Sequence, residues 1–203
     1  MTTFHLLRHG EHTLQGKIVA GRTPGIGLSD RGRAEAEAAA ARLATTPHNH
    51  GIAAIYASPL QRAQETAAIV AERLGLDAAT HDDLNEVDFG DWTGSTFTAI
   101  RETAHYPAWA NRRSLAFIPG GETMRNVQRR IVETMLELHA VHPDAALVLV
   151  SHGDTIRSGL AFALGMPLDY LTRIEIATGS ISSIRIDTTG IRVTGLNDHA
   201  RTS

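Results

Sequence analysis

Short apolar runs and amphipathic stretches alternate along the chain. The runs at residues 4–7, 52–57 and 145–150 are mostly apolar and show little alternation, which is typical of parallel strands buried on both faces of a sheet. Elsewhere, apolar residues recur at the spacing of one helical face. Three such stripes are Ala63, Ala67, Val70 and Leu74; Met124, Val127, Ile131, Met135 and Leu138; and Ile156, Leu160 and Leu164. This order of strands and helices predicts an α/β fold.

Two further segments complete the predicted fold. The alanine-rich run at residues 34–44 lacks glycine and proline, so it predicts a helix, with Ser29 as its N-cap. Near the carboxyl end, residues 184–186 and 191–193 alternate around residues 188–190, which predicts an antiparallel hairpin. We therefore predict an α/β three-layer sandwich with a mostly parallel central sheet, helices on both faces and a C-terminal antiparallel hairpin.

The chain is short enough for one domain. It has 203 residues, and no linker interrupts it. Residues 95–121 differ from the rest, because they combine arginines with histidine and aromatic residues and end in Pro119, Gly120 and Gly121. We interpret residues 95–121 as a helical excursion over the active-site end of the sheet, within a single domain that covers residues 1–203.

Composition narrows the function classes. The absence of cysteine excludes disulfides, thiol catalysis and cysteine-ligated metal sites. The formal net charge of −3 argues against a nucleic-acid partner, which requires a basic excess. The apolar runs are too short to cross a bilayer, and the amino terminus lacks the pattern of a signal peptide. We therefore expect a cytoplasmic protein that binds a small molecule and has no membrane partner; a homodimer stays open.

Polar clusters follow the predicted strands at the points where they end. Arg8, His9 and Gly10 follow the first run, residues 151–153 (Ser-His-Gly) follow the third, and residues 58–62 follow the second. Ligands of open α/β sheets bind at the carboxyl ends of the strands. If these three strands are neighbours, the clusters bring two arginines and two histidines together, which predicts a site for an anion such as phosphate.

The segment at residues 58–62 also has the pattern of a helix start. Ser58 can act as N-cap with Gln61 three residues later, a capping box, and Pro59 occupies the favoured first helical position. Arg62 would then lie in the first helical turn. A cation is unfavourable at the positive end of a helix dipole unless an anion binds nearby.

Several ordered motifs together resemble one known family. They are Leu7-Arg8-His9-Gly10-Glu11; Leu28-Ser29 with Gly32; Ser58-Pro59-Leu60 with Arg62, Ala63, Thr66 and Ala67; Leu84 with Glu86, Phe89, Gly90, Trp92 and Gly94; Gly120-Gly121-Glu122-Thr123; and Val150-Ser151-His152-Gly153. In this order the chain resembles the histidine phosphatase superfamily, in its phosphoglycerate-mutase-like branch. The resemblance extends over about the whole chain.

The resemblance implies a role for each polar residue. It implies that His9 is the nucleophile, which receives a phosphoryl group as phosphohistidine, and that no metal or other cofactor takes part. It also implies that Arg8, Arg62 and His152 bind the phosphate. Planar guanidinium groups suit the oxygens of a transferring phosphoryl group. By the same resemblance Glu86 gives a proton to the leaving group and then takes one from water.

Other positions are expected to line the substrate pocket. This chain has His12 at the position after Arg-His-Gly-Glu, where the family usually has Ser or Thr. It has Gln15 at a position that is often Asn in the family. Gly153 is expected to leave room for backbone close to the phosphate, as is Gly10. Arg22 or Lys17 is expected to contact the substrate from the pocket edge.

The reaction expected from these features is hydrolysis of a small phosphomonoester. The chain between Glu86 and His152 is shorter than in the mutases, which favours a phosphatase, because a mutase must shield its phosphohistidine from water. A phosphoglycerate mutase that depends on 2,3-bisphosphoglycerate is the alternative. Phosphoglycerates, sugar phosphates, α-ribazole phosphate and phosphoamino acids all remain open as substrates.

Three readings from other classes are weaker. A metal-dependent hydrolase could use His9, His12, His152 and Asp154 as ligands, but the nearby arginines would repel a divalent cation. A non-catalytic module that binds a phosphorylated ligand would be expected to have lost the nucleophile or the acid. The triplet at residues 48–50 (His-Asn-His) is similar to a nuclease signature, but it is interpreted as a solvated loop without a basic context.

Overall fold

The computed structural model describes residues 1–45 and 51–199. The triplet at residues 48–50 therefore lies outside the described residues. Within the described part of the chain, six strands form one sheet in the order β3-β2-β4-β1-β5-β6. The strands are β1 (Thr2–Arg8), β2 (Ile52–Ala57), β3 (Ala78–Thr80), β4 (Ala146–Ser151), β5 (Ile181–Asp187) and β6 (Gly190–Asp198). The sequence pattern predicted all of them except the short edge strand β3.

The sheet is parallel on one side and antiparallel on the other. Four strands are parallel to one another, in the order β3-β2-β4-β1. On the other side of β1, β5 pairs with β1 and β6 pairs with β5, both in antiparallel register. β5 and β6 form the predicted hairpin, and its tip is the turn before Gly190. The predicted sheet type and C-terminal hairpin are confirmed.

Helices cover both faces of the sheet. They are α1 (Asp30–Thr45), α2 (Gln61–Leu74), α3 (Phe97–Arg101), α4 (Tyr106–Asn111), α5 (Met124–Val141) and α6 (Gly153–Ala163). α1 and α2 pack on one face, and α5 and α6 pack on the other. Ser29 accepts a hydrogen bond from the Gly32 amide at 3.1 Å, as expected of the N-cap of α1.

The alternation of side chains within the strands explains the two cores. Phe4 and Leu6 of β1 pack in the core under α5 and α6, whereas Leu7 packs under α1 and α2. In β4, Leu147 and Leu149 face the first core, and its two valines face the second. Every residue of β4 is buried, because both faces of this central strand are covered.

The segment at residues 95–121 contains the two short helices α3 and α4. Trp109 of α4 is buried and packs edge-on against Phe89 and Trp92, and it belongs to an apolar cluster that includes Met124 of α5. The segment is therefore anchored through Trp109, and its place over the active-site end of the sheet stays a prediction. That residues 1–203 form one domain stays a prediction.

None of the helices within the described residues is both long and apolar enough to cross a membrane.

Candidate active site

The sheet order brings the three polar clusters together. β2, β4 and β1 are neighbours and run parallel, so their carboxyl ends meet at one edge. The His9 amide donates to the Ser151 carbonyl at 3.0 Å, and the Ser58 amide donates to the Val150 carbonyl at 3.0 Å. The juxtaposition that the sequence predicted is therefore present in the fold.

His9 lies at this edge with its ring held in one tautomer. The side chain is buried, and its Nδ1 lies 2.7 Å from the Gly10 carbonyl oxygen. A carbonyl oxygen can only accept, so Nδ1 carries the proton and Nε2 carries the lone pair. Arg62 donates from Nε to this His9 Nε2 at 3.3 Å. The basic nitrogen of His9 is thus aimed at the arginine that the sequence placed in the site.

The surroundings of His9 keep its ring neutral. Burial lowers the pKa of His9 well below its ordinary value of 6.5, and the positive charges of Arg62 and Arg8 lower the pKa further. The hydrogen bond to Gly10 opposes these effects without cancelling them. At neutral pH the ring therefore offers a lone pair, which is the form that a nucleophile needs.

Arg62 is a buried guanidinium in the first turn of α2. It donates from Nη2 to the Gly21 carbonyl at 2.8 Å, and the same nitrogen lies 3.3 Å from Nδ1 of His152. Its Nη1 is buried and has no hydrogen-bond partner among the described residues. A buried cationic donor without a partner is costly, so Nη1 is available to an anion in the pocket.

The start of α2 differs from the predicted capping box. The helix begins at Gln61, and its N-cap is Leu60, which has no side-chain capping bond. Ser58 is not the cap, because its Oγ lies 2.8 Å from Nε2 of His152 and also accepts from the Leu60 amide at 3.3 Å. The serine supports a histidine of the site instead of the helix terminus.

His152 is fully buried behind Arg62. Since a guanidinium can only donate, His152 accepts at Nδ1 and donates from Nε2–H to Ser58 Oγ. Burial and the charge of Arg62 lower the pKa of His152 well below its ordinary value, so this ring is also neutral. Its centroid lies 5.0 Å from that of His9. His152 contacts Arg62 and lies outside the residues that line the pocket, and its predicted contact with a bound phosphate stays a prediction.

Arg8 and Gly153 form another part of the pocket wall. Arg8 donates from Nη1 to the Ile176 carbonyl at 2.6 Å, and its Nε is buried without a hydrogen-bond partner among the described residues. A Cβ atom on Gly153 would lie 3.5 Å from this Nε. Gly153 therefore leaves the unpartnered Nε of Arg8 uncovered. Gly10 also allows two backbone segments to approach closely, because a Cβ there would come within 2.1 Å of the Gly32 carbonyl oxygen.

These residues surround a pocket of about 170 Å³. Its polar wall includes Arg8, His9, Arg62 and Glu86, together with His12 and Gln15. The pocket is also lined by the apolar side chains of Ile18, Val19, Phe89 and Phe97. A pocket of this size suits a phosphoryl group with a small organic part.

Glu86 brings a carboxyl group to the pocket next to the cations. It follows a short 3₁₀ turn at Asp82–Leu84, and its Oε1 accepts from the Val87 amide at 2.9 Å. Burial raises the pKa of Glu86, and the negative charge of Asp154 raises it further, against the opposing effect of Arg62. The carboxyl group is thus inclined to keep its proton, as a general acid must.

The backbone that carries Glu86 is fixed at four successive carbonyl groups. Each accepts a hydrogen bond from a side chain elsewhere in the fold. The donors are Arg130 to Asp83, Ser151 Oγ to Leu84 at 2.7 Å, Thr155 Oγ1 to Asn85 at 2.8 Å, and Arg22 Nε to Glu86 at 2.9 Å. Since only a short 3₁₀ turn precedes Glu86, these bonds from side chains elsewhere in the fold hold Glu86 in position.

Arg22 contacts the loop that carries Glu86. In addition to the Glu86 carbonyl, it donates from Nη2 to Glu122 Oε2 at 3.0 Å, and it is not part of the pocket wall. Lys17 is also outside the wall, and its Nζ donates to the Thr13 carbonyl at 3.1 Å. In the fold Arg22 holds the loop of Glu86, and its expected contact with the substrate stays a prediction.

The sequence analysis did not predict that Asp154 and Arg157 line the pocket. Asp154 pairs with Arg113 at 3.1 Å and with Arg157 at 2.8 Å, and Arg157 also lines the pocket. Burial alone would raise the pKa of Asp154, but these two cations hold it below its ordinary value. Their position in the sequence could have indicated this role, because residues 154 and 157 lie in the first turns of the helix that follows Ser-His-Gly.

The alternative metal ligands are engaged elsewhere. Both ring nitrogens of His152 and both carboxylate oxygens of Asp154 have partners in the protein. In residues 1–45 and 51–199, no group of three or more histidine or acidic side chains is arranged to hold a metal ion.

Comparison with known protein families agrees with this geometry. A model of the histidine phosphatase superfamily (branch 1) matches residues 4–199. The chain belongs to the histidine phosphatase superfamily. The resemblance inferred from the motifs is thereby confirmed for nearly the whole of this histidine phosphatase.

Relatives of this histidine phosphatase differ in length and in named activity. It is 36% identical over 183 residues to the bifunctional protein Rv2228c of Mycobacterium tuberculosis, covering 89% of this chain and 49% of that protein. The chain thus spans about half the length of this curated relative. It is 30% identical over 189 residues to a 2,3-bisphosphoglycerate-dependent phosphoglycerate mutase of Bartonella henselae, covering 87% of this chain and 88% of the mutase.

A solved structure is similar over nearly the full length of both chains. It is the mycobacterial glucosyl-3-phosphoglycerate phosphatase Rv2419c in complex with VO₃, with 29% sequence identity and a TM-score of 0.84. The similarity covers 96% of this histidine phosphatase and 98% of that chain. The fold predicted from the sequence is therefore the fold of this family.

Proposed function

We propose that this histidine phosphatase hydrolyses a small phosphomonoester through a phosphohistidine on His9, without a metal ion. The observation that carries the proposal is the state of His9. Its Nδ1–H is bound by the Gly10 carbonyl, and its Nε2 lone pair is beside Arg62 in the pocket. A neutral, oriented imidazole next to two guanidinium groups suits attack on a phosphoryl group.

In the first step, Nε2 of His9 attacks phosphorus as the ester P–O bond breaks. Arg8 and Arg62 stabilise the negative charge on the oxygens of the transferring group. Glu86 gives its proton to the leaving oxygen, so the alcohol departs neutral and Glu86 becomes a carboxylate. The positive charges of Arg62 and Arg8 then stabilise this carboxylate until it accepts the next proton.

In the second step, water attacks the phosphorus of the phosphohistidine. Glu86 takes one proton from the water, the P–N bond breaks, and the electron pair returns to Nε2 of His9. Inorganic phosphate leaves, and both residues regain their starting states. Arg8 and Arg62 act in both steps, because the charge on the phosphoryl oxygens is similar in the two transition states.

The named relatives support hydrolysis of a phosphate ester. The structurally similar mycobacterial protein is a glucosyl-3-phosphoglycerate phosphatase, and the vanadium oxyanion in its structure is consistent with a pocket that accepts phosphate-like groups. The named activities of such relatives differ, so the alcohol part of the substrate is not fixed by similarity. The apolar side chains of Phe89 and Phe97 suit a small organic group.

A phosphoglycerate mutase is the second candidate, because a mutase is 30% identical over 88% of its length. Such an enzyme would use 2,3-bisphosphoglycerate to load its histidine and would release little inorganic phosphate. The two candidates are separated by supplying 3-phosphoglycerate with and without the bisphosphate. A mutase interconverts the phosphoglycerates only when primed, whereas a phosphatase does not interconvert them and needs no bisphosphate to release phosphate from its own substrate.

The proposal is tested by rapid-quench labelling with a ³²P-phosphomonoester in the presence of EDTA. We expect an acid-labile phosphoryl group on His9 within one turnover, and none in His9→Ala. His139→Ala is the matched control, since His139 contacts Thr2 at the opposite end of β1. Rapid hydrolysis without a labelled His9 would contradict the phosphohistidine, and loss of activity in EDTA would contradict the metal-free route.

A further inference from the structure

His12 is a second histidine of the pocket wall, and the proposed reaction gives it no role. It is 6% exposed and lines the pocket, and its ring centroid lies 5.7 Å from that of His9. It stands where the family usually has Ser or Thr. A side chain so close to the nucleophile is within reach of a group bound to His9.

The tautomer of His12 is set by the backbone. The Leu14 amide donates to Nδ1 of His12 at 3.2 Å, so Nδ1 carries the lone pair and Nε2 carries the proton. Within residues 1–45 and 51–199, this Nε2–H has no hydrogen-bond partner. The arrangement is the reverse of His9, in which Nδ1 carries the proton and Nε2 is the base.

The charge state of His12 suits a donor that is not a cation. Burial, followed by the charges of Arg62 and Arg8, lowers the pKa of His12 to about 4. Near neutral pH the ring is therefore uncharged, and its proton is on the nitrogen that has no partner. His12 in this form cannot attack phosphorus through Nε2, but it can donate a hydrogen bond there.

Several donors of the pocket are available to the oxygens of a phosphoryl group. Arg8 Nε and Arg62 Nη1 are buried without hydrogen-bond partners among the described residues, and His12 Nε2–H adds a third donor. A phosphoryl group has three non-bridging oxygens. We propose that His12 binds the substrate by donating from Nε2–H to one of these oxygens. The inference rests on the proposed function only in requiring that the pocket receives a phosphoryl group.

Two substitutions separate this role from a structural one. His12→Gln places an amide N–H near the position of Nε2 and loses the acceptor of the Leu14 amide. His12→Asn keeps an acceptor for Leu14 and loses the donor at Nε2. If His12 acted only by holding its loop, the asparagine variant would be the better replacement.

The experiment measures binding of inorganic phosphate to each variant by isothermal titration calorimetry at neutral pH. We expect the dissociation constant of His12→Asn to rise roughly tenfold or more, as for loss of a hydrogen bond to a charged group, and that of His12→Gln to stay near the wild-type value. Thermal unfolding checks that both variants are folded. Unchanged binding in His12→Asn, or equal weakening in both variants, would overturn the inference.

The labelling of His9 judges the proposed function separately. If the wild type forms no phosphohistidine but the two variants bind phosphate as expected, His12 keeps its role and the proposed reaction fails. If the phosphohistidine forms and His12→Asn binds phosphate like the wild type, the reaction stands and the role of His12 fails.

Discussion

Arg22 donates a hydrogen bond from Nε to the main-chain carbonyl of Glu86 at 2.9 Å. Nη2 of Arg22 donates to Glu122, which also accepts from Nε of Arg130 at 3.0 Å. Arg130 in turn donates to the Asp83 carbonyl. Glu122 thus joins two arginines that hold the backbone on both sides of the proposed acid. This network lies outside the pocket, yet it decides where the Glu86 carboxyl group stands.

The first prediction concerns Arg22→Gln. Loss of the bond to the Glu86 carbonyl should let the carboxyl group move, so kcat for an alkyl phosphate should fall by roughly fivefold to tenfold. The rate with p-nitrophenyl phosphate should change much less, because its leaving group departs without a proton. Steady-state kinetics with both substrates measure the ratio.

Arg129→Gln is the matched control for Arg22→Gln, since Arg129 makes an exposed pair with Glu133 on α5. It should leave both rates unchanged. An equal loss with both substrates in Arg22→Gln would show that Arg22 does not act through the proton donor.

The second prediction tests Glu86 itself. Glu86→Gln cannot deliver a proton, so turnover of an alkyl phosphate should fall by about 10²- to 10⁴-fold, and that of p-nitrophenyl phosphate far less. In the wild type, activity on alkyl phosphates should decline at a higher pH than the ordinary pKa of glutamate suggests, because the pKa of Glu86 is raised. A pH–rate profile of kcat/KM compares the two enzymes. The acid assignment fails if the substitution slows both substrates to the same extent.

The third prediction concerns Arg62. Arg62→Ala removes a cation and the donor to His9 Nε2, so the inhibition constant of vanadate should rise at least about tenfold. Arg33→Ala is a suitable control, since Arg33 pairs with Glu65 at the surface. Vanadate should inhibit this variant with the same constant as the wild type. Vanadate inhibition that is the same in Arg62→Ala and the wild type would argue against a phosphate contact.

The fourth prediction is a loss of stability in mild acid. His9, His12 and His152 are buried in the neutral form, and their pKa values are lowered in the folded state. In the unfolded chain these histidines take up protons near pH 6.5, whereas folded His12 does so only near pH 4. The unfolded state therefore binds more protons in this range, and the free energy of unfolding should decrease as the pH falls below about 6.5.

Thermal unfolding at about pH 7.5 and about pH 5 measures this dependence. The midpoint should be lower at the more acidic pH. His12→Gln should show a smaller difference between the two values, because one of the three groups no longer titrates. A wild-type midpoint that does not change between these conditions would contradict the buried neutral state of the histidines.

Much of the site followed from the sequence because strand ends are local features. The positions of Arg8, His9 and Arg62 could be predicted from apolar runs that stop at polar residues, combined with the rule that parallel strands present the same ends. The short strand β3 was missed, since three residues, two of them alanine, give no periodic signal.

The interpretation failed where a side chain had a choice of partners. Ser58 has the sequence pattern of an N-cap, but in the fold the buried ring of His152 needs an acceptor and binds its hydroxyl group. The sequence also contained no sign that Arg22 would bond to the Glu86 carbonyl and to Glu122, which lie 64 and 100 residues away in the chain. Such pairings between distant segments leave no pattern in the local sequence.

The fold class, the order of strands and helices, and the residue types at one edge of the sheet could all be predicted from the sequence. These follow from periodicity and from the parallel arrangement of the buried strands, which are properties of short segments. The tertiary structure alone decided the tautomers of His9 and His12, the placement of His152 behind Arg62, and the support of Glu86 by Arg22. Each of these depends on which donor meets which acceptor in a buried site, and only the packed chain fixes that.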